Sequence, residues 1–224
     1  MPSPNVIQLR QLLAEKFPNL RTRIEPSAPA RNRWLTGLDQ VDQALVGGLP
    51  EGALVEVISA GKTSGSATML HALIRRAARE NKIVTCIDGA DSLEVTEFDP
   101  EVLSRLLWIR SGSAAQALKA ADLVLRDSNL SFVLIDLGAN KEPELRRIPA
   151  ATWYRFQRLI EGTSTICLVF APCHTVVAAQ IQIILRSRFS LDALEKDAPQ
   201  LVSALKLEVS DARRGIAHQA QSIA

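Results

Sequence analysis

"EVISAGKTSGSATML", residues 56–70, joins an apolar strand-like run to a helical one through a turn containing Gly61-Lys62-Thr63. When such a turn has the form GxxxxGK[ST], its amides wrap phosphate, its lysine reaches the β and γ oxygens and the next hydroxyl holds magnesium. Two registers test this one. With Gly61-Lys62-Thr63 as the end of the motif, the first glycine falls on Glu56, inside the strand. With Gly65 as the second glycine, which suits a helix starting near Ser66, the first-glycine slot holds Ala60, the lysine slot Ser66 and the magnesium-hydroxyl slot Ala67. Both registers fail. Losing one charge-assisted contact costs about 1.5–3 kcal/mol, roughly ten- to a hundredfold in affinity. Productive ATP binding is therefore not expected, and no cofactor is assigned. Gly61, Gly65 and the possible caps Ser64 and Ser66 at a helix N-terminus could still hold an isolated anion weakly, and Lys62 could swing in from the loop.

Outward from this turn, short apolar runs alternate with helical patterns. The runs are 54–58, 83–87, 106–109, 132–136 and 165–170, and the helices lie near 66–80, 100–105, 114–127 and 150–161. Continuous apolar strands joined by helical crossovers imply a mostly parallel sheet covered on both faces, a doubly wound α/β domain. Residues 175–186 (TVVAAQIQIILR) read as one more helix, 204–209 as a further strand and 210–224 as a polar tail. The domain is placed at 34–209.

Before it, residues 1–33 form an arm. Val6, Leu9, Leu13 and Phe17 share one face at helical spacing, a short amphipathic helix that must dock on something, and Pro18, Pro26 and Pro29 mark an extended linker. The whole chain of 224 residues carries a net charge of +2. Its first 34 residues hold Arg10, Lys16, Arg21, Arg23, Arg31 and Arg33 against Glu15 and Glu25, a local +4 that suits an acidic partner. No secretory signal and no apolar run long enough for a bilayer is present, so the chain is expected to be soluble and cytoplasmic. Cys86, Cys167 and Cys173 form no CxxC; buried reduced thiols are expected, with no metal site.

The stretch "LTGLDQVDQALVGGLPEGALVEV" (35–57) resembles the entry to the RecA-type ATPase core, where a short helix and a Gly-Gly-Leu-Pro turn lead into the first strand. The resemblance continues through "VTCIDGADSLEVTEFD" (84–99), "RSGSAAQALKAADLVLR" (110–126) and "FVLIDL" (132–137), covering roughly residues 34–170. Within that group, "GKTSGSA", "IPAATWYRFQRLIEGTSTICLVFAP" and "LEVSDARRG" are similar to ImuA-type proteins, also labelled SulA-like. These are accessory factors of the damage-inducible (SOS) mutagenesis cassette that works with ImuB and an error-prone polymerase. The resemblance implies a RecA-like core, an ImuB-like partner, self-association through the N-terminal helix and a role in translesion synthesis. The departures from active RecA imply the absence of hydrolysis. The glutamate that activates water after the second strand is replaced in Asp88-Gly89-Ala90, with Ala90 in its place, and the glutamine after the fifth strand has no counterpart in "FAPCH". Asp136 survives in the Walker B position.

Arg146, Arg147, Arg155 and Arg158, interleaved with Trp153 and Tyr154, are the DNA-binding candidates, against the simpler reading of a solvated helix face over packed aromatics. His71, His174 and His218 suggest no triad. The reading is of a non-catalytic accessory protein. Its alternatives are a DNA-dependent ATPase of the recombinase type using Lys62 from an unusual place, and a SulA-like division inhibitor.

Overall fold

The computed structural model describes residues 32–59, 61, 63–127, 129–211 and 216–219. Its centre is strand β3 (Leu54–Ser59), five of whose six residues are buried. On one side β3 pairs in parallel with Ile166–Ala171 (β7), and on the other with Ile181–Leu185 (β8), so that Val57 lies between Phe170 and Ile183. The sheet continues beyond β7 through Phe132–Asp136 (β6) and Val84–Asp88 (β4) to an edge at Leu106–Arg110 (β5), all parallel. Beyond β8 it turns antiparallel through Leu207–Asp211 (β9) and Ile216–Gln219 (β10). The order of the eight strands is therefore β10-β9-β8-β3-β7-β6-β4-β5, and the mostly parallel, doubly wound α/β class is as expected.

Side-chain alternation divides the core in two. Val55 and Val57 of β3 face a layer containing Asp39–Ala44 (α1) and Ser66–Arg79 (α2), whose Met69, Leu70, Leu73, Ile74 and Ala77 recur at helical period and are all buried. Leu54 faces the other layer. There Ala114–Val124 (α4) contributes Ala117 and Ala121, and Ala150–Ile160 (α6) contributes Trp153, Phe156 and Ile160. Each large aliphatic side chain removed from water in these layers stabilises by about 1.5–3 kcal/mol. Pro100–Leu103 (α3) and Glu142–Leu145 (α5) are single turns opened by proline in their first turn.

The segment 175–186 is not a helix. Ile181, Ile183 and Leu185 are buried while Gln182 and Ile184 are only half-buried, a period of two that forms β8 against the central strand. Spacing such as Val176, Ala179 and Ile183 imitates a helical face, but β3 is buried on both flanks only if a strand takes this place. Strand β9 runs to Asp211, two residues beyond the expected end of the domain, and is reached through a 3₁₀ turn at Leu191–Glu195 and Ala198–Ser203 (α7).

Ahead of β3, Arg33–Trp34 (β1) pairs with Leu49–Pro50 (β2). The Asp42 carboxylate of α1 accepts from Thr36 N, Thr36 Oγ1 and Gly37 N at 2.9, 2.8 and 3.0 Å, which folds the entry segment over the helix. The Gly-Gly-Leu-Pro turn needs its glycines. Gly48 has φ +91°, and a Cβ there would sit 2.0 Å from the Trp34 carbonyl oxygen. Gly48→Ala is expected to destabilise by more than about 1 kcal/mol, read as a lower urea midpoint; an unchanged midpoint would mean that the β1–β2 pairing carries no stability.

Candidate functional site

The loop between β3 and α2 lies at the carboxyl edge of the sheet, where wound sheets place their ligands. Ala60 and Lys62 lie outside the described residues. Helix α2 begins at Ser66, with Gly65 as its N-cap at φ 90° and no side chain capping it. This start corresponds to the second register, with Ser66 in the lysine slot and Ala67 in the hydroxyl slot. Ser64 does not cap the helix: it is buried, and its Oγ donates to the Gly61 carbonyl at 2.7 Å. The connection after β8 packs onto the same turn. Phe189 N donates to the Thr63 carbonyl at 3.0 Å. A Cβ on Gly65 would lie 2.4 Å from Leu205 Cδ2 and 3.0 Å from Phe189 Cε2. Gly65 is thus held both by its positive φ and by the side chains against it.

Beside the loop, Asp88 and Asp136 are in register at the ends of β4 and β6. Asp88 is fully buried, and its carboxylate accepts from Ala90 N at 3.2 Å and Leu93 N at 2.8 Å, so it shapes the turn after β4. Gly89 N donates to the Asp136 carbonyl at 2.8 Å and Asn140 Nδ2 to the Gly89 carbonyl at 2.9 Å, which ties that turn to the tip of β6. Ala90 is the half-buried residue at the place read as the lost water-activating glutamate. The Asp136 side chain accepts from Gly138 N at 2.9 Å. Burial and the neighbouring Asp88 charge nevertheless raise its pKa above the ordinary carboxylate value. A Cβ on Gly138 would lie 3.1 Å from Asp136 Oδ1 and 3.8 Å from Ser66 Oγ. The fold therefore brings the loop and Asp136 together. A magnesium triphosphate does not fit the described donors in this register, since the lysine slot holds a serine and the hydroxyl slot an alanine.

A second polar cluster was not expected. Glu56, fully buried in β3, accepts through Oε1 from Thr175 N at 2.6 Å and Val176 N at 2.7 Å, and through Oε2 from Gln182 Nε2 at 3.0 Å. His174 Nδ1 lies 2.7 Å from Oε2; beside an acceptor-only carboxylate this nitrogen carries the proton, leaving Nε2 free of it in the neutral ring. His174 thus has a carboxylate partner after all, one that sequence spacing hid because 118 positions separate them. The available signal was the glutamate itself: a charge inside "LVEVI" must be paired if the strand is buried.

The four arginines do not form one unpaired patch. Arg146 pairs with Glu142 at 3.1 Å on α5, and Arg155 pairs with Asp122 of α4 at 2.8 Å. Arg147 and Arg158 are exposed, Trp153 is buried in the core and Tyr154 is half-exposed. Val6, Leu9, Leu13 and Phe17 lie outside the described residues. Cys86 and Cys167 are buried as expected, and burial pushes the Cys167 thiol up to about 12 and raises Cys86 as well. Among the described residues no group of three metal-ligating side chains occurs, and no helix is long and apolar enough to cross a membrane.

No family model matches the chain. It is similar to Protein RecA of Rubrobacter xylanophilus, 35% identical over 111 residues, which cover 48% of this chain and 32% of that one. Against Protein RecA of Clavibacter michiganensis the identity is 33% over 116 residues, covering 48% and 30%, and against that of Cutibacterium acnes 32% over 117 residues, covering 49% and 32%. The matched stretch thus spans about half of this chain and about a third of each relative. With the sheet described above, these similarities make the core RecA-like.

Two substitutions test the cluster energetics. Because folding raises the Asp136 pKa, its contribution is fully present below the ordinary value of 3.8 and is lost as pH rises through the raised one. Asp136→Asn is therefore expected to increase the urea midpoint at neutral pH, with the gain vanishing below the ordinary value; a lower midpoint at neutral pH would show that the carboxylate is stabilising. Glu56→Ala leaves the Thr175 and Val176 amides without their acceptor and is expected to cost about 2–5 kcal/mol, measured by the same unfolding curves.

Proposed function

We propose that this RecA-like chain is a non-hydrolysing accessory protein of the ImuA type, acting in damage-induced, error-prone translesion synthesis by assembly with an ImuB-like, polymerase-family partner. The observation that carries the reading is the start of α2. With Gly65 as N-cap, the two positions that would face the phosphates and magnesium are Ser66 and Ala67. Two further observations support it. The Phe189 and Leu205 side chains pack on Gly65, and the Asp88 carboxylate is engaged by the turn in which Ala90 replaces a base. In this mechanism the frame that once positioned a nucleotide is a rigid platform, and binding energy rather than bond cleavage is its output. The N-terminal segment carrying Val6, Leu9, Leu13 and Phe17 and the face at the carboxyl edge of the sheet are the surfaces proposed to hold the partner.

One observation favours the recombinase-type ATPase instead. Asp136 is a mostly buried carboxylate held at raised pKa near the Ser66 hydroxyl, and perturbed carboxylates gather at working sites. Titration calorimetry with Mg-ATP, run beside a phosphate-release assay with and without single-stranded DNA, separates the two. The accessory reading expects no binding up to millimolar nucleotide and no turnover. Micromolar binding with DNA-stimulated turnover would overturn it and make Lys62 and Asp136 the residues to mutate.

A further inference from the structure

We propose that the open groove between α4 and α6 is a docking site for an acidic amphipathic helix of a partner protein. The groove encloses about 440 Å³. Its inner supports are fixed, since Ala117 and Ala121 of α4 and Trp153 and Phe156 of α6 are buried in the core beneath. Small side chains on the outer faces, Ala115 and Thr152, leave the depression between the helices. Leu118 lines it half-buried, and Leu123 stands beside it 73% exposed, an apolar side chain that the fold itself does not cover.

The charges around this apolar strip decide the occupant. Asp122 is ion-paired with Arg155, whose Nε lies 2.8 Å from Oδ1, and accepts through Oδ2 from Arg126 Nη2 at 3.0 Å, so one carboxylate serves two guanidinium groups. Lys119 adds a third exposed cation on the groove wall. The positive excess favours carboxylates on the incoming surface, and the exposed leucine favours an apolar stripe between them. Basic segments, the chain's own +4 arm among them, carry the wrong sign. A nucleic acid backbone would meet the Asp122 carboxylate in the wall and leave Leu123 without an apolar neighbour. Each flanking helix has 11 residues, about 16 Å of axis. That length accepts about three turns of a third helix, whose anchors would recur at i, i+3, i+4 and i+7. The proposal deepens the assembly reading and rests on it for its biological role.

The test uses the full chain, labelled with ¹⁵N, and a capped synthetic peptide of about 15 residues, long enough for an isolated helix to begin to hold, with leucine at helical spacing and glutamate elsewhere. Resonance shifts are expected to concentrate on residues 114–126 and 150–158. Lys119→Glu and Leu123→Ser, both at exposed positions, are expected to weaken binding about tenfold each without moving the urea midpoint. Any of four outcomes overturns the site: no shifts at millimolar peptide, shifts centred elsewhere, equal binding of a lysine-for-glutamate peptide, or stronger perturbation of the same resonances by a single-stranded oligonucleotide. Failure here with no heat from Mg-ATP would leave the accessory reading standing on another surface, whereas DNA-stimulated turnover would remove that reading whatever the peptide does.

Discussion

A carboxylate buried in the middle of the central strand has to find donors, and the path of the chain on the far side of β3 follows from where Glu56 finds them. Two come from the backbone of the turn after β7, at Thr175 and Val176, and two more from the side chains of His174 and Gln182. A carboxylate taken out of water without such partners would be untenable in a strand this deeply buried. Satisfying it draws the segment after β7 back across β3 and delivers Ile181–Leu185 alongside, in parallel register. The antiparallel extension through β9, and the connection whose Phe189 and Leu205 rest on the loop, follow from that placement. One polar residue in an apolar run thus couples the centre of the sheet to the surface of the candidate site.

At the carboxyl edge, polar groups that could do chemistry are instead engaged with backbone. Asp88 holds the amides of Ala90 and Leu93, Ser64 closes a turn on Gly61, and Asn140 binds the Gly89 carbonyl. Asp136 differs: it has the Gly138 amide but remains at raised pKa, because one hydrogen bond does not offset burial beside a second carboxylate. This contrast is the physical content of the two functional readings. A frame in which every charge had been satisfied would leave only the platform, whereas Asp136 retains an electrostatic cost that a bound cation would relieve.

Four of the five apolar runs from 54 to 170 were legible because strands buried on both faces read as continuous apolar stretches, the fifth being the half-exposed edge strand β5, and the helices between them because Met69 to Ala77 or Trp153 to Ile160 recur at helical period. The failures have equally local causes. In "TVVAAQIQIILR" both periods coexist, and only the need of β3 for a second neighbour chooses between them. Ser64 and Ser66 have the chemistry of caps, but the turn closes on Gly61 and leaves a left-handed glycine at the helix start. Within the site, the helix start near Ser66 and the place of Asp136 at the end of its strand could be read from spacing. The His174–Glu56 pair could not, because contacts across the sheet carry no sequence period.

The RecA-like frame and nucleotide chemistry are separable because they draw on different parts of the chain. Stability comes from the two apolar layers and from glycines such as Gly48 and Gly65, whose backbone angles and close neighbours admit no side chain. Phosphate binding would draw on a few exposed groups at one edge, each contributing about 1.5–3 kcal/mol to the ligand and little to the fold. Substituting such groups would leave the sheet unstrained, and on Gly65 of this loop the Phe189 and Leu205 side chains are packed. Such packing adds to the stability of the frame. Glycine in the loop is then kept for packing as well as for approach to a ligand, and its presence alone is no measure of nucleotide binding.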